Sequence, residues 1–403
     1  MTEMLDVPVL RSADRRVAVW CGWVLVGVCA LTPLFAWLAP KGFAALIALG
    51  GLLTLPAVRI GDDDRPALIV LFAALIWAAV STTWSLFHPH SFETNTILKL
   101  AVLQLPLFYS LICGARRAHP LLQRVALAIL AWGFAAFALI LIAETLTGGA
   151  LYQTLHHLAY SKMRQDIAEA KLGHATFVMT ALLPLVALGA PAKVRPWLTL
   201  LMVVGAAAAA IAFGSDAPVL ALVLAPAVGL ATWRWPAWTP RVMAVAAALL
   251  WLATPLIVWA VRHFADYEAI RRAIPASYAE RMGYWSYAID WIADKPLRGW
   301  GLDGSRMFAP AIQLHPHNGA LQVWLELGLV GAVAAAAFWV VTLLRLSRPR
   351  PNAVMAAAAA CAAVYLLFGF INFGVWQDWW MAMGALIAVL TALQPSTSRP
   401  ISE

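Results

Sequence analysis

The chain has 403 residues, of which 63% are hydrophobic and only 12% are charged, and its mean hydropathy is +0.78. Soluble domains are about a quarter charged, so this composition excludes a soluble globular enzyme and predicts a single polytopic membrane domain over residues 1–403. The formal net charge of +8 does not indicate nucleic-acid binding, because that function would need a basic face on a soluble surface.

Twelve apolar segments are candidates for membrane-spanning helices. A hydrocarbon core of about 30 Å requires about 20 apolar residues in a helix, and none of the segments shows the alternation of a barrel strand, so the predicted fold is all-α. Only Asn372 separates the last two segments, so eleven spans is the alternative. The predicted spans are residues 17–38, 42–58, 66–87, 97–114, 120–146, 173–190, 196–213, 217–233, 241–262, 318–345, 352–373 and 375–394.

Lysine and arginine in the short connections set the expected orientation of the spans. With the N-terminus on the inner side, that side also receives Arg59, Arg116 and Arg195, whereas acidic and basic residues nearly balance on the outer side. Both termini are therefore expected inside. The two long connections, residues 147–172 and 263–317, then lie outside, and we expect them to form the functional surface because the other connections are short.

The larger outer loop, between spans nine and ten, contains a predicted amphipathic helix. The segment Ser277–Glu280 has the form of a capping box, and the helix is expected to end at Asp294. Its aromatic and aliphatic positions, Trp285 among them, share a face with Arg281 at helical spacing. Such a helix suits the membrane surface or the roof of a cavity; a plain surface helix with a solvated arginine is the alternative.

The end of the same loop places a histidine at the start of the tenth predicted span. His317 and Asn318 open this apolar helix directly after a polar loop. An imidazole at the membrane–water boundary can remove a proton from a hydroxyl beside an anionic lipid-linked substrate, which makes His317 a candidate general base. Asn318 is either the helix N-cap or a hydrogen-bond partner of the imidazole or of the acceptor. A structural role is expected for His315 and for Glu326, which helical spacing places away from His317.

Three motifs in this region resemble the O-antigen ligase and O-antigen polymerase superfamily, and most closely the ligases. They are R-x3-W at Arg281, D-x-P-L-x-G-x-G from Asp294 to Gly301, and H-N-x9-G-x2-G from His317 to Gly331. The third, with its fixed spacing, is the specific one. The resemblance implies a glycosyltransferase-C-like helical fold in the bacterial inner membrane, with the active site facing the periplasm, no cofactor and no nucleotide-sugar donor.

The resemblance also implies the substrates and the roles of particular residues. The donor would be undecaprenyl-diphosphate-linked O-antigen and the acceptor a sugar hydroxyl of lipid A-core. His317 would be the base, and Arg281 would bind the diphosphate. An arginine in the earlier outer loop is also implied, with Arg164 as the candidate and Lys162 as the neighbour that would serve instead, and Arg298 would assist by its charge. Trp285 would support the site.

Other residue patterns could indicate a metal site. The chain contains the tracts His88-Pro-His90 and His156-His157, and the acidic run Asp62-Asp63-Asp64. None has the spacing of a helical metal-binding motif, and the acidic run lies in an inner turn between arginines, so no metal is predicted.

Three other functions share some of these features. An O-antigen polymerase and a protein O-oligosaccharyltransferase belong to the same superfamily. A glycolipid transporter belongs to a different class, and it would be expected to carry charged residues at mid-membrane depth along a pathway. The predicted spans are almost free of such charges, which favours an enzyme.

Overall fold

The computed structural model describes residues 12–159, 163–347 and 352–394. All regular elements in these ranges are helical, and ten helical segments are long and apolar enough to cross a membrane, which confirms the all-α membrane class. The α-helices are α1 (Ser12–Leu38), α2 (Phe43–Leu53), α3 (Arg65–Ser81), α4 (Thr96–Leu98), α5 (Leu105–Arg117), α6 (Pro120–Thr147), α7 (Ala150–Ala159), α8 (Gln165–Leu188), α9 (Arg195–Ala212), α10 (Asp216–Arg234), α11 (Thr239–Phe264), α12 (Tyr267–Ala273), α13 (Ala276–Asp294), α14 (Gly319–Leu344), α15 (Asn352–Ile371) and α16 (Asp378–Leu393).

The number of full-length spans is a correction to the prediction of twelve. The predicted spans 42–58 and 375–394 correspond to apolar helices that are too short to cross a bilayer unaided, namely Pro40–Leu53 and Asp378–Leu393. The first ends early because a 3₁₀ turn containing Pro56 follows it. The second of these helices begins at Asp378, three residues after the predicted start, because the residues before Asp378 are not helical. Those residues line the candidate site.

Helix α14 is packed along α11 and α3, while α1 lies on α6 and α10 lies on α15. The main hydrophobic core is formed by the other half of the bundle, from α1, α2, α5, α6, α8, α9, α10, α15 and α16. Large apolar side chains also point outward, such as Ile69 and Phe72 on α3, which are 66% and 63% exposed. Apolar surface of this kind is stable only against lipid, so the exposed faces of these helices are the membrane-facing ones.

A buried carboxylate at one end of the bundle connects three helices. Asp64 precedes α3 and accepts hydrogen bonds from Arg116 of α5, from Arg345 after α14 and from Tyr109. Burial alone would raise the pKa of Asp64, but these hydrogen bonds and the charge of Arg116 lower the pKa to about 2. The acidic run that includes Asp64 therefore holds the helices together at this end.

The outer segments contain more helix than the sequence predicts. Helix α8 begins at Gln165 instead of residue 173, and α7 occupies much of the smaller outer loop. In the larger loop, α13 ends at Asp294 as predicted and buries the expected aromatic and aliphatic face. The capping box is wrong, because α13 begins at Ala276 after Pro275 and has no side-chain cap. Glu280 instead accepts a hydrogen bond from Tyr284.

Candidate functional site

The His315–His317 turn has an unusual backbone that several hydrogen bonds hold in place. His317 has φ of +53°, in the left-handed region that non-glycine residues seldom adopt. Its backbone N–H donates to Nδ1 of His315 at 3.1 Å. Trp285 of α13 donates its indole N–H to the carbonyl of Pro316 at 2.8 Å. Sparsely populated backbone conformations that the surroundings over-determine concentrate at functional sites.

Asn318 follows this turn and caps α14. Its side-chain oxygen accepts a hydrogen bond from the backbone N–H of Leu321 at 3.0 Å. The N-cap role was one of the two expected for Asn318, and it fixes where α14 begins directly after His317.

The ring of His317 has a defined tautomer. Its Nδ1 lies 2.9 Å from the backbone carbonyl of Asn372, in the connection between α15 and α16. A carbonyl oxygen only accepts, so Nδ1 carries the hydrogen, and in the neutral ring Nε2 carries a lone pair. Burial lowers the pKa of His317. The hydrogen bond to Asn372 raises this pKa, and the positive charge of Arg281 lowers it further. The ring is therefore neutral at pH 7, with Nε2 able to accept a proton.

His315 is held in a neutral state that suits it to a structural role. Burial, and then electrostatic interactions with His317 and with the Arg306 guanidinium, lower the pKa of His315 to about 3. Its Nδ1 accepts from His317, so the hydrogen lies on Nε2, which is 3.0 Å from the side-chain amide of Gln377. The amide oxygen of Gln377 must then face Nε2, since the nitrogen cannot accept.

Arg281 reaches the same connection as His317. Its guanidinium lies 3.4 Å from the side-chain oxygen of Asn372 and packs over the ring of Tyr278 at 4.9 Å. Within the described ranges no carboxylate forms an ion pair with Arg281. Asn372 thus brings together the predicted base and one predicted anion-binding arginine. Its backbone carbonyl contacts His317, and its side-chain amide contacts Arg281.

The glycines of the second and third motifs pack directly against each other. Helix α14 is broken at Gly328, which has φ of +64° and ψ of −160°. A Cβ atom at Gly328 would lie 2.4 Å from backbone atoms of Leu297, and one at Gly299 would lie 2.4 Å from backbone atoms of Glu326. Only glycine permits this combination of positive φ and close backbone approach. The two motifs are therefore one structural unit, although they are separate in the sequence.

Hydrogen bonds across this junction replace those lost at the helix break. The backbone N–H of Leu329 donates to the carbonyl of Pro296, and the N–H groups of Trp300 and Gly301 donate to carbonyls of α14, each at 2.8 Å. Trp77 of α3 donates its indole N–H to the carbonyl of Leu327 at 2.9 Å. The broken helix is thus satisfied by its neighbours, as required of irregular backbone within a membrane protein.

Glu326 ties the outer loop to the candidate site from the far side of α14. The carboxylate is fully buried and accepts hydrogen bonds from Ser305, from the backbone N–H of Asp303, from Gln322 and from Trp376. These contacts agree with the structural role expected for Glu326. Its partners are neutral hydrogen-bond donors and not a cation.

The structure does not bring the remaining predicted cations into contact with His317. Arg298 is exposed and lies over the ring of Trp84 at 5.5 Å. Arg164 is 77% exposed in its side chain and forms an ion pair with Asp166 at 2.7 Å. Lys162 lies outside the described residues. The diphosphate-binding role of these three residues stays a prediction.

Sequence reasoning missed Asn372, and with it the connection between α15 and α16. This residue served only as a break between two predicted spans. Its neighbour Phe373 packs against His174 of α8, with ring centroids 6.2 Å apart, so the connection also joins the site to α8. A polar residue with a following glycine between two apolar runs was the available signal. The described residues contain no group of three His, Cys, Asp or Glu that could hold a metal ion.

Comparison with known proteins finds similarity over the region that contains these motifs. Residues 200–336 match the family model described as "O-Antigen ligase", a segment that includes Arg281, His317 and Gly328. A protein of Rickettsia conorii named "Putative polysaccharide ligase" is 30% identical over 135 residues, which cover 30% of this chain and 33% of the relative. Proteins of the same name from Rickettsia felis and Rickettsia typhi are 28% and 29% identical over 135 residues. The match thus spans about a third of the length of these relatives.

Proposed function

We propose that this chain is an O-antigen ligase, which transfers O-antigen polysaccharide from undecaprenyl diphosphate to a sugar hydroxyl of lipid A-core. The match of residues 200–336 to the O-antigen ligase family model supports the proposal. The observation that carries the proposal is the pairing at Asn372. This residue fixes the hydrogen of His317 on Nδ1 and also contacts Arg281, which has no carboxylate partner in the described part of the chain. A free imidazole nitrogen beside an unpaired guanidinium suits proton removal next to an anion.

In the proposed reaction, the acceptor hydroxyl gives its proton to Nε2 of His317. The hydroxyl oxygen then forms a bond to the anomeric carbon of the donor glycan, while the bond from that carbon to the phosphate oxygen breaks. The electron pair of the broken bond leaves with undecaprenyl diphosphate, and direct displacement inverts the anomeric centre. The imidazolium returns its proton to water. A positioned general base of this kind contributes about 10²–10⁴-fold in rate.

Arg281 is the proposed binding group for the diphosphate. Its guanidinium is permanently charged and has the forked geometry that fits phosphate oxygens. Its charge also lowers the pKa of His317, after the larger effect of burial, and so keeps the base unprotonated until the hydroxyl arrives. Arg164, Arg298 and Lys162 are the further proposed contacts to the diphosphate, and donor-dependent movement of their segments would be needed to bring them to His317.

We place the site on the periplasmic side of the inner membrane, with both chain termini in the cytoplasm. The excess of basic residues on the opposite side supports this orientation. The diphosphate–sugar bond supplies the driving force, so the proposed reaction requires neither ATP nor a metal ion. Membrane lipids surround the exposed apolar helix faces, and no nucleic-acid partner is proposed.

A transfer assay tests the proposal. The purified full-length protein is mixed with undecaprenyl-diphosphate-linked O-antigen and lipid A-core, in EDTA and without ATP, and the products are separated on a gel. Glycan attached to lipid A-core supports the ligase. Glycan that lengthens on its lipid carrier would mean a polymerase, and glycan on added protein would mean a protein O-oligosaccharyltransferase. Movement of the carrier across vesicles without any new glycosidic bond would mean a transporter.

A further inference from the structure

A cleft opens on the outer surface beside the candidate site. It lies between α12, α13 and the turn at residues 310–311, and it has a volume of about 310 Å³. This volume falls at the lower end of the range of ~300–1,000 Å³ found for small-molecule sites. The cleft is lined by Arg271, Glu280, Gly283, Tyr284, Tyr287 and Pro310.

Tyr284 separates the cleft from His317 and touches both. Its ring stacks on that of His317, with centroids 6.1 Å apart and planes inclined by 20°. Its hydroxyl donates to Glu280, a residue of the cleft wall. Burial, and then this hydrogen bond, raise the pKa of Tyr284 to about 12. A ligand in the cleft is therefore only one aromatic ring away from the imidazole of His317.

The lining suits a sugar better than an acyl chain. Tyr287 is 51% exposed, and an exposed aromatic face can pack against the C–H face of a pyranose ring. Arg271 donates to Glu268 and to the carbonyl of Ala279, while its Nη2 lies 3.8 Å from the position of a Cβ atom at Gly283. That guanidinium nitrogen and the Glu280 carboxylate supply a charged donor and a charged acceptor for sugar hydroxyls.

We propose that this cleft binds a pyranose ring of the acceptor oligosaccharide, next to the sugar whose hydroxyl meets His317. The inference rests on the proposed ligase function and adds the place where the acceptor is recognised. The cleft faces the aqueous side of the outer loop, so it holds the glycan of the acceptor while the lipid part stays in the bilayer. Tyr284 then sets the distance between the bound ring and the base.

Two substitutions test the cleft without touching His317 or Arg281. Gly283→Leu places an apolar side chain in the cleft, and its Cβ atom meets nothing closer than 3.8 Å. Tyr287→Ala removes the exposed ring. Arg272→Ala is the matched control, because Arg272 is next to Arg271 in sequence but does not line the cleft. Tyr287→Phe tests the ring itself, because it removes the hydroxyl and retains the aromatic face.

Initial rates are measured with the full-length protein, against lipid A-core at saturating donor and against donor at saturating lipid A-core. We expect Gly283→Leu and Tyr287→Ala each to raise the acceptor KM by about tenfold or more, the scale of one lost aromatic contact. The donor KM stays at the wild-type value, Arg272→Ala behaves as wild type, and Tyr287→Phe raises the acceptor KM less than Tyr287→Ala does. An unchanged acceptor KM in both cleft variants, or an equal rise in the donor KM, would overturn the proposal.

A binding measurement separates failure of the cleft from failure of the ligase function. Core oligosaccharide freed of its lipid is titrated into wild type and Gly283→Leu without donor, and binding is followed by saturation-transfer NMR. Binding by wild type that Gly283→Leu loses supports the cleft even if no transfer occurs, in which case only the ligase function has failed. Equal binding by both proteins, or none by wild type, overturns the cleft, whatever the transfer assay gives.

Discussion

Replacing Gly299 by alanine should separate the two glycine motifs. The new Cβ atom would lie 2.4 Å from the carbonyl carbon and oxygen of Glu326 and 2.6 Å from the backbone nitrogen of Leu327. Non-bonded carbon contacts are normally about 3.5–4.0 Å, so the loop must move away from α14 by ~1 Å. The φ of +66° at this position adds strain of about 1–2 kcal/mol for an L-residue.

The displacement also weakens hydrogen bonds at the junction. Three backbone hydrogen bonds of 2.8 Å join the loop to α14, from Leu329, Trp300 and Gly301. Each contributes roughly 1 kcal/mol net. Partial loss of these bonds together with the strain gives a destabilisation of about 3–5 kcal/mol. A shift of ~1 Å in a supporting segment can lower a rate by about 10²-fold, so transfer activity should fall more than the loss of folded protein explains.

Gly304→Ala is the matched control, because a Cβ atom there meets nothing closer than 3.5 Å. Thermal unfolding in detergent gives the stability of both variants, and glycan transfer per folded protein gives the activity. We expect a large loss of both stability and activity for Gly299→Ala and near wild-type values for Gly304→Ala. If the two variants are equally stable and active, the close packing of the two motifs controls neither stability nor activity.

Three further predictions concern titration and positioning. Burial lowers the pKa of His317, so kcat/KM should stay constant as pH falls towards the ordinary histidine pKa of ~6.5 and should decrease only below it. Arg281→Gln removes a positive charge near His317, so in this variant the decrease in kcat/KM should begin at a higher pH. Gln377→Leu removes the partner of His315 and should lower kcat about tenfold at an unchanged donor KM in initial-rate measurements. Asp64→Asn should lower the free energy of unfolding by on the order of 3 kcal/mol. In wild type the stabilisation from Asp64 is complete above the pKa of this group in the unfolded chain, ~3.9, and is lost as pH falls towards 2. Thermal unfolding measured at a series of pH values tests both statements.

Much of the bundle could be predicted from apolar run length. Runs such as those of α6 and α11 exceed the thickness of a bilayer, so hydropathy alone places them. The two short helices could not be resolved in this way. A run that includes Thr54 and Pro56 has the length of a span, but the chain leaves the helix at the proline turn. Helix length there is decided by backbone geometry and not by hydropathy.

The candidate site was predictable in its chemistry and only partly in its assembly. His317 and Arg281 follow from motifs whose residues are close in sequence. Their common partner Asn372 lies 55 residues after His317, and no local pattern predicts a contact at that separation. The junction of Gly299 with α14 is also a tertiary contact, visible only once both segments are folded. By contrast, the ion pair of Arg164 with Asp166 was foreseeable, because the acid is two residues away.

Single-turnover transfer by wild type and His317→Ala tests whether His317 is the general base. Protein loaded with undecaprenyl-diphosphate-linked glycan is mixed with excess lipid A-core, and both the bound donor and the new glycosidic bond are followed with time. We expect wild type to form the bond and His317→Ala to form it about 10²–10⁴-fold more slowly, with donor binding unchanged. Bond formation by His317→Ala at the wild-type rate, or none by wild type, would contradict the account.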